Sequence, residues 1–365
     1  MDNTVNKNMG YLDVLYSFVR LGLGLEDSLF SGKIEWKLLY QIASEQGVLP
    51  IVAEGISHKI SQGVMFEGLD DGLRQKIAFD LISSEQNYLS IWKSAKNLSE
   101  LYHENGIRTI ALKGFVTSSF YPKPQQRSFC DFDFFLSDFE KGNDIVRQRG
   151  VEVMGSYKHA TFNFETAHVE NHQFCTHFRG REKAYEFEVL LQKCMLTDNV
   201  EYLPESYIEK PSPIFNALFL TYHARSHFFD ERVSLRQVVD WAMLMRYYGS
   251  SGLNWVEFLN ICQKYGLLTF AQTMSRLVQQ ICHVEIPFDC PTNDLLDKML
   301  LDDIFSNVQV HVEYGTGMRA RWQVLRNKYK GRWKYHYFSN QSFVSAVCQQ
   351  LWGYIAESKP TRSES

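Results

Sequence analysis

The sequence predicts an α/β (α+β) core with a mixed sheet, flanked by N- and C-terminal helical regions. Three observations predict it. Apolar residues recur at helical spacing through roughly the first hundred residues, and again after about residue 200. Between these stretches, short runs alternate apolar and polar residues with a period of two, as half-buried strands do. The length of 365 residues allows two or three domains. The pattern divides it into an N-terminal helical region (1–98), an α/β core (99–200) and a C-terminal helical domain (201–365).

The first region opens with YLDVLYSFVRLGL, which has a helical apolar stripe. EWKLLYQIASEQGVLPIVAEGI follows as a helix, a stop at Gly47 and a second helix after Pro50. A third helix over 81–97 continues to Asn105, where Gly106 caps it. In the core, 108–112 is the first strand, 116–120 a short helix and 129–136 the second strand. A helix over 139–149 is closed by Gly150. Extended pieces follow at 151–154, 159–164, 173–178 and 184–191, with turns such as Arg179-Gly180-Arg181 between them. Pro204, Pro211 and Pro213 open the last region, where 214–228, WVEFLNICQKYGLL and FAQTMSRLVQQICHV are helical.

Composition removes several classes. The chain is 45% hydrophobic and 22% charged, so it can bury a core and is not disordered. A net charge of −4 argues against a broad nucleic-acid footprint, and no DNA partner is expected. The seven cysteines are odd in number, form no C-x-x-C and sit among apolar neighbours. That points to buried thiols in a reducing compartment. The N-terminus lacks an apolar signal core, and no apolar run reaches the roughly 18 residues of a membrane span. The expectation is a cytoplasmic protein without a membrane partner. No Walker loop, G-x-G-x-x-G or G-x-S-x-G is present.

The chemistry concentrates in 107–136, IRTIALKGFVTSSFYPKPQQRSFCDFDFFL. In the second strand Asp131 and Asp133 share one face, while Phe132 and Phe134 enter the core. Two carboxylates side by side repel, and an apolar setting worsens that. A divalent cation, or two about 4 Å apart, would compensate and suits phosphoryl or nucleotidyl transfer.

The order Leu112-Lys113-Gly114, a short helix, Tyr121-Pro122, Arg127 and Asp131-x-Asp133 resembles the nucleotidyltransferases of the DNA polymerase beta superfamily. In particular it is similar to the bacterial branch called the uncharacterised nucleotidyltransferase family. The resemblance implies Mg²⁺ (or Mn²⁺) at Asp131 and Asp133, with NTP as substrate. It puts Lys113 and Gly114 at the triphosphate, and Arg127 either at developing charge or paired with the aspartates. Phe115 follows Gly114 where most of the superfamily has Ser. A third carboxylate comes from a neighbouring strand, in a run that often reads apolar, acid, apolar, His, aromatic. Laid on Tyr185-Glu186-Phe187-Glu188-Val189, this makes Glu186 the third acid and puts Glu188 at the His position, with Glu188 as the alternative acid. The family's His-Gly-x-Lys-His, then Leu and an Asp five residues on, is matched by His223-Ala224-Arg225-Ser226-His227 and Leu235 to Asp240, with Ser226 replacing Lys. Those histidines would line the cleft and seat phosphate or acceptor.

The implied reaction moves a nucleoside monophosphate from NTP to a small-molecule, protein or RNA acceptor. The alternative is a catalytically silent, regulatory nucleotide- or partner-binding module on the same fold, kept open by Phe115 and the missing His at Glu188. Each motif also has a plainer account. His223 and His227 lie four apart on one helix face but have no third zinc ligand in view, and they read as well as histidines packed between helices. The basic, aromatic stretch RARWQVLRNKYKGRWKY can stack single-stranded RNA. More often such a stretch is an amphipathic helix whose basic side chains snorkel.

Overall fold

The structure is a computed structural model. It describes residues 2–26, 33–128, 131–178, 181–196, 200–306, 326, 329–339 and 342–348. Four helices come first: α1 (Asp2–Gly22), α2 (Trp36–Glu45), α3 (Leu49–Ser61) and α4 (Asp71–Glu104). Pro50 sits in the first turn of α3, where its missing N–H costs nothing. A Cβ on Gly22 would lie 1.9 Å from the carbonyl oxygen of Ile51, so α1 approaches α3 this closely only with glycine there. Helix α4 starts ten residues before the expected 81, because the Asp70 carboxylate accepts from the Leu73 amide at 2.8 Å and caps it. It ends at Glu104, and Gly106 turns the chain just beyond it, as expected, so that the Ile107 amide returns to the Tyr102 carbonyl at 2.9 Å.

The core elements are β1 (Thr109–Ala111), α5 (Phe115–Ser118), β2 (Asp131–Leu136), α6 (Phe139–Arg147), β3 (Met154–Gly155), β4 (His159–Phe164) and β5 (Ala167–His172). Then come α7 (Glu182–Met195), β6 (Glu201–Tyr202) and β7 (Ile208–Lys210). Among the described residues seven strands form one mixed sheet in the order β3-β4-β5-β2-β1-β7-β6. β2 is antiparallel to β1 and parallel to β5, while β1 is parallel to β7. Phe132, Phe134 and Leu136 are buried beneath the sheet. Residues 129 and 130 of the expected second strand, Cys130 included, lie outside the described residues, as do Arg179 and Gly180 of the expected turn.

Two expectations in this region are corrected. Residues 173–178 form a loop after β5 rather than a strand. Residues 184–191, carrying Glu186 and Glu188, lie inside α7. Alternation over Tyr185–Val189 spans too few residues to outweigh the longer stripe of Phe187, Leu191 and Met195. These three are spaced by four and buried on one helix face. The strand at 167–172 was not anticipated.

The helical end comprises α8 (Pro213–Asp230), α9 (Leu235–Tyr248), α10 (Trp255–Lys264), α11 (Leu268–Cys282), α12 (Asp294–Ile304) and α13 (Arg332–Phe338). One hydrophobic cluster joins residues from all three parts of the chain. In the basic stretch 319–335, residues 319–325, 327 and 328 lie outside the described residues. Lys334 is buried in α13, where its ammonium donates to the Phe228 carbonyl at 2.7 Å and pairs with Asp303 at 2.9 Å. Cys175, Cys262 and Cys282 are buried free thiols, and burial pushes Cys282 up to about 12. Among the described residues no helix is long and apolar enough to cross a membrane.

The packing predicts a contrast between two phenylalanines. Phe134 is 0% exposed, and Phe134→Ala should cost about 3–5 kcal/mol in urea unfolding. Phe79 on α4 is 68% exposed, and Phe79→Ala should stay within about 0.5 kcal/mol of wild type.

Candidate active site

The site is built where β1, β2 and β5 run side by side. After β1 the Leu112 amide donates to the Asp133 carbonyl at 3.1 Å, which holds the chain against β2. Gly114 then turns at φ 64°, a left-handed conformation that glycine adopts without strain. The turn brings Lys113 to the acidic face, its ammonium 3.2 Å from Asp133 Oδ2. Phe115 goes the other way. It is buried with its ring 4.8 Å from Trp92 and 5.8 Å from Phe132, so the departure from Ser fills the core.

Asp131 and Asp133 share one face of β2, as expected, with Phe132 and Phe134 opposite. The acid beside them is Glu170 of β5, in register with Asp133. His172 follows two residues later on the same strand face. Its Nε2 lies 3.1 Å from Asp133 Oδ1 and 3.2 Å from Glu170 Oε2. Its Nδ1 donates to the Phe174 carbonyl at 3.3 Å. Across the sheet His159 on β4 pairs in register with His172, their rings 5.2 Å apart.

The resemblance's run of apolar, acid, apolar, His, aromatic is met in part by Val169-Glu170-Asn171-His172-Gln173, with Gln173 at the aromatic position. Asn171 replaces the apolar residue between acid and His. It is buried, and its amide donates to Tyr102 Oη at 2.7 Å and Asn143 Oδ1 at 3.0 Å, so the substitution leaves its NH₂ group satisfied. Val169-Glu170-Asn171-His172 was the available sequence signal. Neither acid of α7 joins the aspartates. Glu186 is exposed. Glu188 is buried and accepts from the Cys175 amide at 2.9 Å, the Thr176 amide at 2.7 Å, the Thr176 hydroxyl at 2.8 Å and Gln192 at 2.8 Å. It anchors the loop after β5.

Electrostatics separate the two aspartates. Burial works to raise Asp133, but the Lys113 charge and the His172 hydrogen bond outweigh it and hold the carboxyl far below the ordinary range. Asp131 is raised, first by burial and then by the charge of Asp133. Glu170 is lowered by its hydrogen bond from His172 against the effect of burial. Lys113 and His172 are each raised, because the carboxylates outweigh burial. Lys158, missed in the sequence, carries a lowered ammonium beside the cluster through burial, with Asp133 and Glu170 acting the other way. Asp133 Oδ2, buried, has the Lys113 ion pair but no hydrogen bond.

Arg127 does not pair with Asp131 or Asp133. It is buried, and its guanidinium holds Asp240 of α9 through Nε–Oδ1 at 2.7 Å and Nη2–Oδ2 at 3.0 Å. Tyr121 donates to the same Oδ1 at 2.7 Å. So the Asp that follows Leu235 by five positions fixes the segment leading into β2. Arg236, also missed in the sequence, lines the same cleft as Lys113, Asp131 and Asp133. Its charge acts to lower Asp131, and its Nη1 donates to the Ser128 carbonyl at 3.2 Å.

From α8, His223 faces the cleft, and His227 lies one turn on with ring centroids 4.6 Å apart. Burial and then the Lys113 charge hold His223 well below the usual histidine value, and burial lowers His227. Among the described residues, the group whose donor atoms come together as metal ligands is His159, Glu170 and His172. It does not include Asp131 or Asp133, nor His223 or His227.

A family model described as "Uncharacterised nucleotidyltransferase" matches residues 32–283. Among solved structures, the chain is similar to an antigenic nucleotidyltransferase-like protein from Paracoccidioides brasiliensis. That likeness has 9% identity and a TM-score of 0.32, over 55% of this chain and 94% of that one. A search of curated proteins finds no match.

Two outcomes follow from the polar contacts. Arg127→Met leaves buried Asp240 without its charged partner, with only the Tyr121 hydroxyl on Oδ1, and should cost about 3–5 kcal/mol in urea unfolding. Arg127→Met combined with Asp240→Leu should recover part of that loss, as a structural pair does. The second outcome concerns pH. The folded chain keeps His223 neutral where the unfolded chain takes up a proton near the ordinary value of 6.5. Stability from this group is present above that value and is lost as pH falls toward the depressed folded value. Melting temperature should therefore drop less steeply from about pH 7 to about pH 5 in His223→Asn than in wild type. Parallel curves would remove His223 from the buried neutral set.

Proposed function

The chain belongs to the uncharacterised nucleotidyltransferase family, and from that premise we propose that it moves a nucleoside monophosphate from an NTP to an acceptor hydroxyl or phosphate. One observation carries the reading. Asp131, Asp133 and Glu170 share one face of two adjacent strands, with Lys113 delivered beside Asp133 by a left-handed glycine turn. Three carboxylates form a hard-oxygen donor set that suits Mg²⁺ or Mn²⁺. The buried Asp133 Oδ2, without a hydrogen bond, fits such a role. Asp131, Asp133 and Glu170 would hold the ion. When bound, it offsets triphosphate charge and eases deprotonation of the acceptor.

The chain's own groups divide the remaining work. Lys113 orients the triphosphate by charge, and Gly114 lets the backbone come close to it. Arg236 adds a second cation on the cleft wall. His223, kept neutral, is able to accept a hydrogen bond from the acceptor. The Arg127–Asp240 pair keeps α9 in place against the segment before β2. The acceptor oxygen bonds to the α-phosphorus as the bond to pyrophosphate breaks. NTP is the donor, and a small molecule, a protein or RNA is the acceptor class.

The test combines binding and turnover. Calorimetry at fixed Mg²⁺ should show NTP affinity falling about ten- to hundredfold in Lys113→Met, the loss of one charge-assisted contact. Asp131→Asn and Asp133→Asn should both abolish pyrophosphate release against a metabolite pool. Without metal, their melting temperatures should diverge. Asp131→Asn removes an unfavourable charge and should hold or raise it, whereas Asp133→Asn breaks the Lys113 and His172 contacts and should lower it. NTP binding with no pyrophosphate released on any acceptor would favour a silent binding module instead.

A further inference from the structure

We propose that His159, Glu170 and His172 form a binding site for a nitrogen-preferring divalent ion of the zinc class. The proposal goes beyond nucleotidyl transfer. It shares Glu170 with the carboxylate cluster, but it concerns the imidazole side of that cluster.

The geometry carries it. One donor atom from each of the three residues lies within 4.8 Å of the others. Sheet register makes this a built arrangement: His159 and His172 are paired across β4 and β5, and Glu170 precedes His172 by two on the same face. The outer contacts orient the ligands. His172 Nδ1 donates to the Phe174 carbonyl at 3.3 Å, which directs Nε2 toward Glu170 and Asp133. Nε2 thus faces two carboxylate oxygens, and a bound cation would take the place of the proton it shares with them. His159 Nδ1 is buried and has no hydrogen-bond partner. An unpaired buried nitrogen is costly, and a metal–nitrogen bond would satisfy it.

The donor set selects the ion. Mg²⁺ takes oxygen ligands and holds its waters. Imidazole with one carboxylate suits zinc and neighbouring first-row ions. Two His and one Glu make a three-ligand set that leaves one coordination position open.

Calorimetry of the full chain with Zn²⁺ alone, and no nucleotide, tests the proposal. Wild type should bind about one ion tightly. His159→Gln should weaken binding by more than about tenfold, a loss already typical of changing an outer contact of a metal site. Asp131→Asn should change it by less than about threefold, since Asp131 is outside the ligand set. Should His159→Gln fail to fold, wild-type crystals soaked in Zn²⁺ give an independent reading. The anomalous peak should lie about 2.0–2.1 Å from a nitrogen of both His159 and His172. Equal zinc affinity in wild type and folded His159→Gln, or a peak on Asp131 and Asp133 with no imidazole, overturns the proposal. Neither result bears on pyrophosphate release, and lost turnover leaves the zinc titration intact.

Discussion

Burial of the Asp133 carboxylate is the constraint on which the site depends. A carboxylate 2% exposed costs several kcal/mol unless it is paired. Its neighbours are arranged to meet that cost. Lys113 arrives from the turn after β1, and His172 arrives from β5. The backbone of the same residue receives the Leu112 amide. One residue therefore couples three strands through both its main chain and its side chain. The turn that presents Lys113 needs the left-handed Gly114, and it sends Phe115 into the aromatic core beside Trp92 and Phe132. Site geometry and core packing are two results of one turn.

A second buried polar junction holds the opposite wall. Arg127, Tyr121 and Asp240 satisfy one another across the boundary between the sheet region and α9. Arg127 sits where the resemblance puts an arginine, yet its fork is engaged with a carboxylate from the helical end of the chain. A bidentate pair of this kind fixes orientation as well as charge. The reach of α9 into the cleft, and with it Arg236, follows from that pair. On α8, burial keeps His223 neutral, so the positive groups facing the carboxylates are Lys113, Arg236 and, from β5, His172.

The acidic face divides into two chemical halves. Asp131 and Asp133 present oxygen beside Lys113. Glu170 continues that row and also meets two imidazoles. Glu188, although buried and acidic, belongs to neither half, because its oxygens accept hydrogen bonds from the loop after β5 and from Gln192. Burial and charge alone do not mark a site residue. What separates Glu170 from Glu188 is which donors already occupy the oxygens.

The sequence by itself determined the common face of Asp131 and Asp133, because a period of two belongs to any strand whatever its partners. It also determined the Lys113-Gly114 turn and most of the helices, whose stripes and caps are local signals. The third carboxylate was decided only by tertiary structure. Tyr185–Val189 and Val169–His172 are both short runs carrying acids two residues from another polar group, and length and periodicity do not separate them. The first is drawn into α7, where Phe187, Leu191 and Met195 bury one face. The second becomes β5, whose parallel register with β2 sets Glu170 beside Asp133. Strand adjacency is a property of the whole sheet, since β5 reaches β2 only after the chain has passed through α6, β3 and β4. The partner of Arg127 was likewise a matter of tertiary contact, because 113 positions of chain separate it from Asp240.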